Sequence, residues 1–219
     1  PGGCDYAIPG IYRANGLPVT ACDVSFGPHR GTIYINWTDQ RNGTLDTDVW
    51  LIKSTDGGNT WSTVRRVNDD PPGKQQFFTW MTIDQVTGHL YFVFYDRRNY
   101  TGNQTDVYMA KSTDGGETFT NFKVSESPFT PSSSVFFGDY TNITAHAGIV
   151  RPIWARLNSG SMSIYTAIVD FPTGVIRLGT EAPESYKLYG NFPNPFNPTT
   201  KIKFGVPAGL DKSKLKLTV

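Results

Sequence analysis

Ser54-Thr55-Asp56-Gly57-Gly58-Asn59-Thr60-Trp61 returns 58 residues later as Ser112-Thr113-Asp114-Gly115-Gly116-Glu117-Thr118-Phe119. The match extends upstream, where Thr47-Asp48-Val49-Trp50-Leu51-Ile52-Lys53 corresponds to Thr105-Asp106-Val107-Tyr108-Met109-Ala110-Lys111. The stretch before each copy is rich in β-branched and aromatic residues and is too short for a helix, so it reads as a strand. A repeat of this length built from short strands is the signature of propeller blades.

Working outward, each copy is preceded by a second strand. Gly31 to Trp37 ends at Thr38-Asp39-Gln40-Arg41, and Gly88 to Tyr95 ends at Asp96-Arg97-Arg98-Asn99. A weaker third unit pairs Gly148 to Asn158 with Ser163 to Val169, but lacks the Ser-x-Asp-Gly-Gly turn. Alternation in these strands is imperfect, as expected of strands buried on both faces. The expected fold is therefore all-β: a partial β-propeller of about three four-stranded blades, at 22–66, 67–124 and 125–175. A closed propeller has about four to eight blades, so three form an arc with two open faces. Further blades, or another protein chain, are the expected cover. Residues 1–21 are a lead-in, 176–186 a linker, and 187–219 differ in character. Pro1-Gly2-Gly3-Cys4 reads as the interior of a longer gene product.

The repeated turn has a physical job. Asp56 and Asp114 precede glycine pairs, and an Asp carboxylate accepts backbone N–H groups two residues on while glycine supplies positive φ. Ser54 and Ser112 add hydroxyl bonds, and Gly58 and Gly116 carry the tight bend. Thr60 and Thr118 favour the following strand through β-branching. Trp61 and Phe119 then pack between blades. These residues are structural rather than catalytic on this reading.

Both copies match Ser-x-Asp-x-Gly-x-Thr-Trp, and the chain over about residues 22–175 resembles the sialidase-like Asp-box (bacterial neuraminidase repeat) propellers. The resemblance implies a six-bladed parent fold, with the Asp-boxes on outer hairpins away from a central pocket. It also implies a set of catalytic residues: an arginine triad for a carboxylate, an Asp acid/base and a Tyr–Glu pair. Arginine forks hold carboxylates in bidentate fashion. Arg41, Arg97, Arg98 and Arg156 follow second strands, with Asp39 and Asp96 before them. Asp139, Tyr140 and His146 stand in a run, Phe137 to Gly148, similar to segments of secreted repeat propellers. Against catalysis, Glu117 and Glu126 are the only glutamates before residue 180, and Glu117 lies inside the second repeat. The Asp and Arg residues read first as loop-bracing ion pairs, then as ligand-binding loops. Trp50, Trp80 and Trp154 read as core before they read as sugar platforms.

Composition narrows the partners. Charged residues make up 18% of the chain and the formal net charge is +1, without a basic stripe, so no nucleic-acid partner is expected. No run of 18 apolar residues suggests a transmembrane segment. Cofactors are expected to be none, with calcium at Asp46 and Asp48 or at Asp69 and Asp70 as a candidate lacking the regular spacing of a calcium loop. No metal site is assigned. Cys4 and Cys22 would close a disulfide worth roughly 3 kcal/mol in an oxidising compartment, and remain two thiols otherwise.

The tail gives an address. Asn191-Phe192-Pro193-Asn194-Pro195-Phe196-Asn197-Pro198-Thr199-Thr200, followed by Ile202-Lys203-Phe204, resembles the start of the type IX (Por) secretion C-terminal sorting domain, a small β-sandwich. Only its first part is present. The resemblance implies a bacterial protein exported by the type IX machinery to the cell surface or medium. The leading functional reading is a secreted, non-catalytic propeller module that binds glycan or protein or serves as a scaffold. The alternatives are an exo-sialidase-type hydrolase whose other catalytic residues lie in further blades, and a structural subunit of an extracellular assembly.

Overall fold

The structure is a computed structural model that describes residues 5–138, 140–158, 160–171, 187–192 and 201–205. The chain divides into two units, Pro1–Thr173 and Gly174–Val219. The first opens with a short hairpin, β1 (Asp5–Tyr6) and β2 (Ala14–Asn15). Three four-stranded antiparallel sheets follow, consistent with consecutive propeller blades. The first holds β3 (Val19–Cys22), β4 (Ile33–Asp39), β5 (Asp48–Ser54) and β6 (Arg65–Arg66). The second holds β7 (Gln76–Ile83), β8 (Leu90–Asp96), β9 (Asp106–Ser112) and β10 (Thr120–Lys123). Both are meanders in chain order.

The third sheet is built from β11 (Asn142–His146), β12 (Ile149–Asn158), β13 (Ser161–Thr166) and β14 (Val169–Asp170). Here β11 lines one edge of β12 from Ile149 to Ile153. The pairing of β14 with Ile149 and Val150 must therefore fall on the other edge, in line with β13. The sheet is three rows wide. A fourth row in chain order would fall after Phe171, outside the described residues. In the second unit β15 (Lys187–Phe192) pairs with β16 (Lys201–Gly205). The linker 176–186 and the Pro193–Thr200 run lie outside the described residues. Among the described residues, no helix is long and apolar enough to cross a membrane.

The core explains the sequence pattern. Every residue of β8 is buried. Leu90, Phe92 and Phe94 pack with Tyr34, Val49 and Leu51 of the first sheet, and Tyr91, Val93 and Tyr95 with Val150 and Trp154 of the third. Each such side chain stabilises by about 2 kcal/mol. At the flanks alternation is visible: Tyr34, Asn36 and Thr38 of β4 are buried, while Ile33, Ile35 and Trp37 are only half-buried. On the third sheet Ile149, Ile153, Met162 and Ile164 are exposed.

Three expectations need correction. The lead-in is part of the core, because Ile8, Ile11 and Ala14 join the cluster around Phe77 and Tyr95, and the first sheet begins at Val19 rather than residue 22. Trp61 is 41% exposed and precedes β6; only Phe119 packs, edge-on to Phe92 at 5.7 Å. The two threonines do not start strands. They close the turn: Thr60 donates its N–H (2.9 Å) and hydroxyl (2.6 Å) to Asp56, four residues back rather than two. Thr118 does the same to Asp114 at 3.0 and 2.5 Å. Ser54 and Ser112 each donate to the Asp and accept the N–H of Gly58 or Gly116.

These bonds hold Asp56 at a pKa of about 2, with the Thr60 hydroxyl the largest cause. For Asp114 burial pulls upward, but the bonds from Thr118 and Ser112 win and the carboxyl lies well below its usual range. A depressed folded pKa means stability is complete above the unfolded value near 4 and is lost as pH falls through the folded value. Urea midpoints are expected to drop between pH 5 and pH 2.5, and Asp56→Asn/Asp114→Asn is expected to flatten that slope. A second expectation concerns β7, which bulges at Phe78, a residue with φ of 51°. Gly138, with φ of 93°, faces it, and a Cβ there would lie 2.4 Å from the ring. Gly138→Ala should cost about 2 kcal/mol or more, read as a lower thermal midpoint.

Candidate functional site

The loops after β4 and β8 carry the same device. Asp39 ends β4, and Arg41 returns to it with Nε at 2.9 Å and Nη2 at 2.6 Å. Asp96 ends β8 and receives the Arg98 N–H (2.7 Å), Nε (2.9 Å) and Nη2 (2.8 Å). Each guanidinium then lies on the aromatic ring at the repeat-equivalent place in the next strand: Arg41 is 4.6 Å from the Trp50 ring and Arg98 4.2 Å from Tyr108. The spacing Asp-x-Arg lets the arginine fold back as a two-pronged donor.

Burial separates the copies. For Asp39 burial raises the pKa, but the bonds from Arg41 and Trp37 outweigh it and the net shift is downward. For Asp96, which is fully buried, burial wins over Arg98 and the shift is upward. Arg98 also reaches Asp69 at 2.5 Å and Asp70 at 3.8 Å. Behind it, the Asn68 amide donates to Asp48 (2.6 Å) and Asp70 (2.7 Å), and Gln76 donates to Asp70 (2.9 Å). Asp48 also takes Asn42 and Arg66, and Asp46 takes the N–H of Gly73. These carboxylates each accept N–H groups from neighbouring side chains or backbone. Among the described residues, no group of three or more His, Cys, Asp or Glu side chains is placed to hold a metal.

Arg97 differs from its neighbour. It is 1% exposed, lies 5.1 Å from the Phe77 ring and donates Nε to Thr105 at 3.1 Å. Its Nη2 has no hydrogen-bond partner among the described residues, and burial lowers its pKa to about 10. The segment carrying β1 and β2 lies across this end of the sheets, a feature that the irregular sequence of residues 1–21 concealed. The Tyr6 hydroxyl meets Thr38, Gln40 donates to the Ala7 carbonyl at 3.2 Å, and Gly10 packs on Asn103 and Pro131. Arg13 stacks on Phe136 at 5.4 Å.

The remaining candidates scatter. Arg156 lies within β12 rather than after it, stacked on Tyr165 at 5.3 Å and bonded to Ser127 at 2.8 Å. Tyr140 is 86% exposed, and Asp139 lies outside the described residues. His146 sits at the opposite end of the third sheet, facing Ile149 across a tight turn. That is the place Asp23 and Asp84 hold in the first two sheets, where each donates its N–H to the paired strand, at Thr32 and His89. Asp84 accepts the amides of Ala147 (3.0 Å) and Gly148 (2.7 Å), tying the second sheet to the third. Trp50 and Trp154 are buried, and Trp80 is half-buried. Cys22 is exposed, and Cys4 lies outside the described residues.

No protein-family model and no curated protein matches the sequence. Among solved structures, an α-L-arabinanase of Penicillium chrysogenum, complexed with arabinobiose, is similar over 92% of this chain and 63% of its own, with a TM-score of 0.50 and 14% identity. A Hadza microbial sialidase, Hz136, is similar over 70% of this chain and 35% of its own, at a TM-score of 0.47 and 15% identity. An α-L-arabinofuranosidase from Lactobacillus brevis follows at 0.38 and 12%, over 65% of this chain and 48% of its own. The chain spans less than two thirds of each. At such identities the likeness is one of fold.

The two forks predict different costs. Arg98→Met strands the buried Asp96 and should destabilise by about 3–5 kcal/mol, whereas Arg41→Met, on a partly exposed pair, should cost under about 1 kcal/mol. Denaturant midpoints check both, and Asp96→Asn/Arg98→Met should recover most of the loss.

Proposed function

We propose that this chain is a secreted, sialidase-like Asp-box propeller module that binds glycan without cleaving it. The observation that carries the non-catalytic reading is the Asp-x-Arg fork. Asp39 and Asp96, the carboxylates best placed to act as acid or base, are spent on bracing arginines. The surface left at this end by Arg41, stacked on Trp37 and Trp50, offers a cation beside an aromatic face. Saccharides with hydroxyl and carboxylate groups suit such a surface. The similar arabinanase was solved with an arabinose disaccharide, which makes arabino-oligosaccharides a sensible first probe. The half-buried face of the first sheet and the exposed isoleucines of the third are suited to contact with further blades or another chain. The tail motif supports export by the type IX machinery to the cell surface or medium, with the β15–β16 pair on either side of its Pro-rich run.

The test is to incubate the chain with arabino-oligosaccharides and sialyl-lactose, following binding by calorimetry and products by mass spectrometry. Saturable binding without cleavage, weakened by Arg41→Ala about tenfold, is the expected result. Turnover of either glycan would overturn the non-catalytic reading and favour a hydrolase completed by further blades.

A further inference from the structure

The repeat places Lys53 and Lys111 at equivalent positions, each opposite a tyrosine on the neighbouring strand, Tyr34 and Tyr91. Between the first and second sheets Lys53 is fully engaged. Its Nζ donates to the Gly115 carbonyl at 2.8 Å and to Glu117 at 2.5 Å, and Arg65 pairs with the same carboxylate. The second repeat turn seats tightly there: a Cβ on Gly116 would lie 2.7 Å from Leu51.

Between the second and third sheets that turn has no counterpart among the described residues, and Asp170 and Phe171 stand near its place. Lys111 makes no hydrogen bond or ion pair among the described residues. Its ammonium lies 4.0 Å from the centre of the Phe171 ring and 5.9 Å from that of Tyr91, and burial lowers its pKa. Beside it is a cavity of about 280 Å³ lined by Lys111, Thr113, Thr118, Thr120, Phe122 and Phe171. The Thr113 and Thr120 hydroxyls have no side-chain bond among the described residues. The Thr118 hydroxyl gives its proton to Asp114 and keeps its lone pairs.

We propose that this cavity binds one acidic sugar ring, a hexuronate, through its carboxylate. Lys111 faces that carboxylate as Lys53 faces Glu117. The protein itself shows what completes this lysine position: a carboxylate with a carbonyl oxygen beside it. Three threonine hydroxyls suit ring hydroxyls as donors and acceptors, and Phe122 and Phe171 wall the apolar sides. The volume is near the lower end for ligand pockets and fits a single ring. The site is at the far end of β9 from Asp106, about 20 Å along the strand from the Asp-x-Arg loops. It stands whether or not glycan binds at Arg41.

The experiment titrates glucuronate into the whole chain, with glucose and free glutamate as controls, following by NMR the Thr113 and Thr120 amide resonances, which parent and variant share, together with the Lys111 ε resonances of the parent. Saturable glucuronate shifts are expected, with glucose and glutamate each about tenfold weaker or more, and Lys111→Met losing about tenfold or more. Thermal melts check the fold: Lys111→Met should melt no lower than the parent, whereas Lys53→Met should melt lower because Glu117 loses one of its two cations and the Gly115 carbonyl loses its donor. Four results would overturn the proposal. These are no glucuronate shifts, glucose or glutamate binding as well as glucuronate, undiminished binding by Lys111→Met, and a melt for Lys111→Met as depressed as that for Lys53→Met.

Discussion

Burial of β8 on both faces is the constraint from which the rest of the first unit follows. A strand with aromatic or aliphatic side chains on both sides must have a sheet against each. The second sheet therefore sits between the first and the third, and its polar ends must be satisfied without water. Asp96 is satisfied by Arg98 at one end. At the other, the Ser112–Thr118 turn binds its own Asp114 and offers the Gly115 carbonyl to the first sheet. Among the described residues the flanking sheets have one such neighbour each, and they carry half-buried or exposed isoleucines.

The two ends of each sheet do different work. At the end holding the Asp-x-Arg forks, charge is neutralised within the loop, and the N-terminal segment lies over the surface. At the end holding the repeated turns, charge passes from one sheet to the next, through Lys53 to Glu117 and through Asp84 to the Ala147–Gly148 turn. Sheet packing by side chains alone tolerates sliding. These directional bonds fix the register between neighbours.

Much of this was legible in the sequence because it repeats. Two copies 58 residues apart fixed the strand order, and the Asp-Gly-Gly pattern located both hairpins. What escaped notice depends on tertiary context. No strand alternation marks residues 5–17, since Ile8 and Ile11 lie outside strands and Ala14 in a two-residue one, yet all three join the core around Phe77 and Tyr95. Trp61 reads as packing between blades because Phe119 stands at the same place in the repeat, yet it is left largely at the surface while Phe119 meets Phe92. Asp39 and Asp96 read alike, but only the structure shows one half-buried and the other sealed. His146 groups with Asp139 and Tyr140 because all three stand in one short run; a strand carries it away from Tyr140 to the far end of the sheet. The candidate site was legible as residue types and not as a gathering of them.

Asp84 also bears on the order of assembly. Its carboxylate is fully buried; Oδ1 accepts the nearby Val86 N–H at 2.9 Å and that of Ala147, and Oδ2 accepts that of Gly148, so two of its bonds come from amides 63 and 64 residues later in the chain. A ribosome releases the second sheet well before Ala147 and Gly148 exist as donors. Until they arrive, closing the second sheet would bury an under-bonded anion, which is costly. The corner at Asp84 is therefore fully bonded only when the turn of the third sheet is docked against the second.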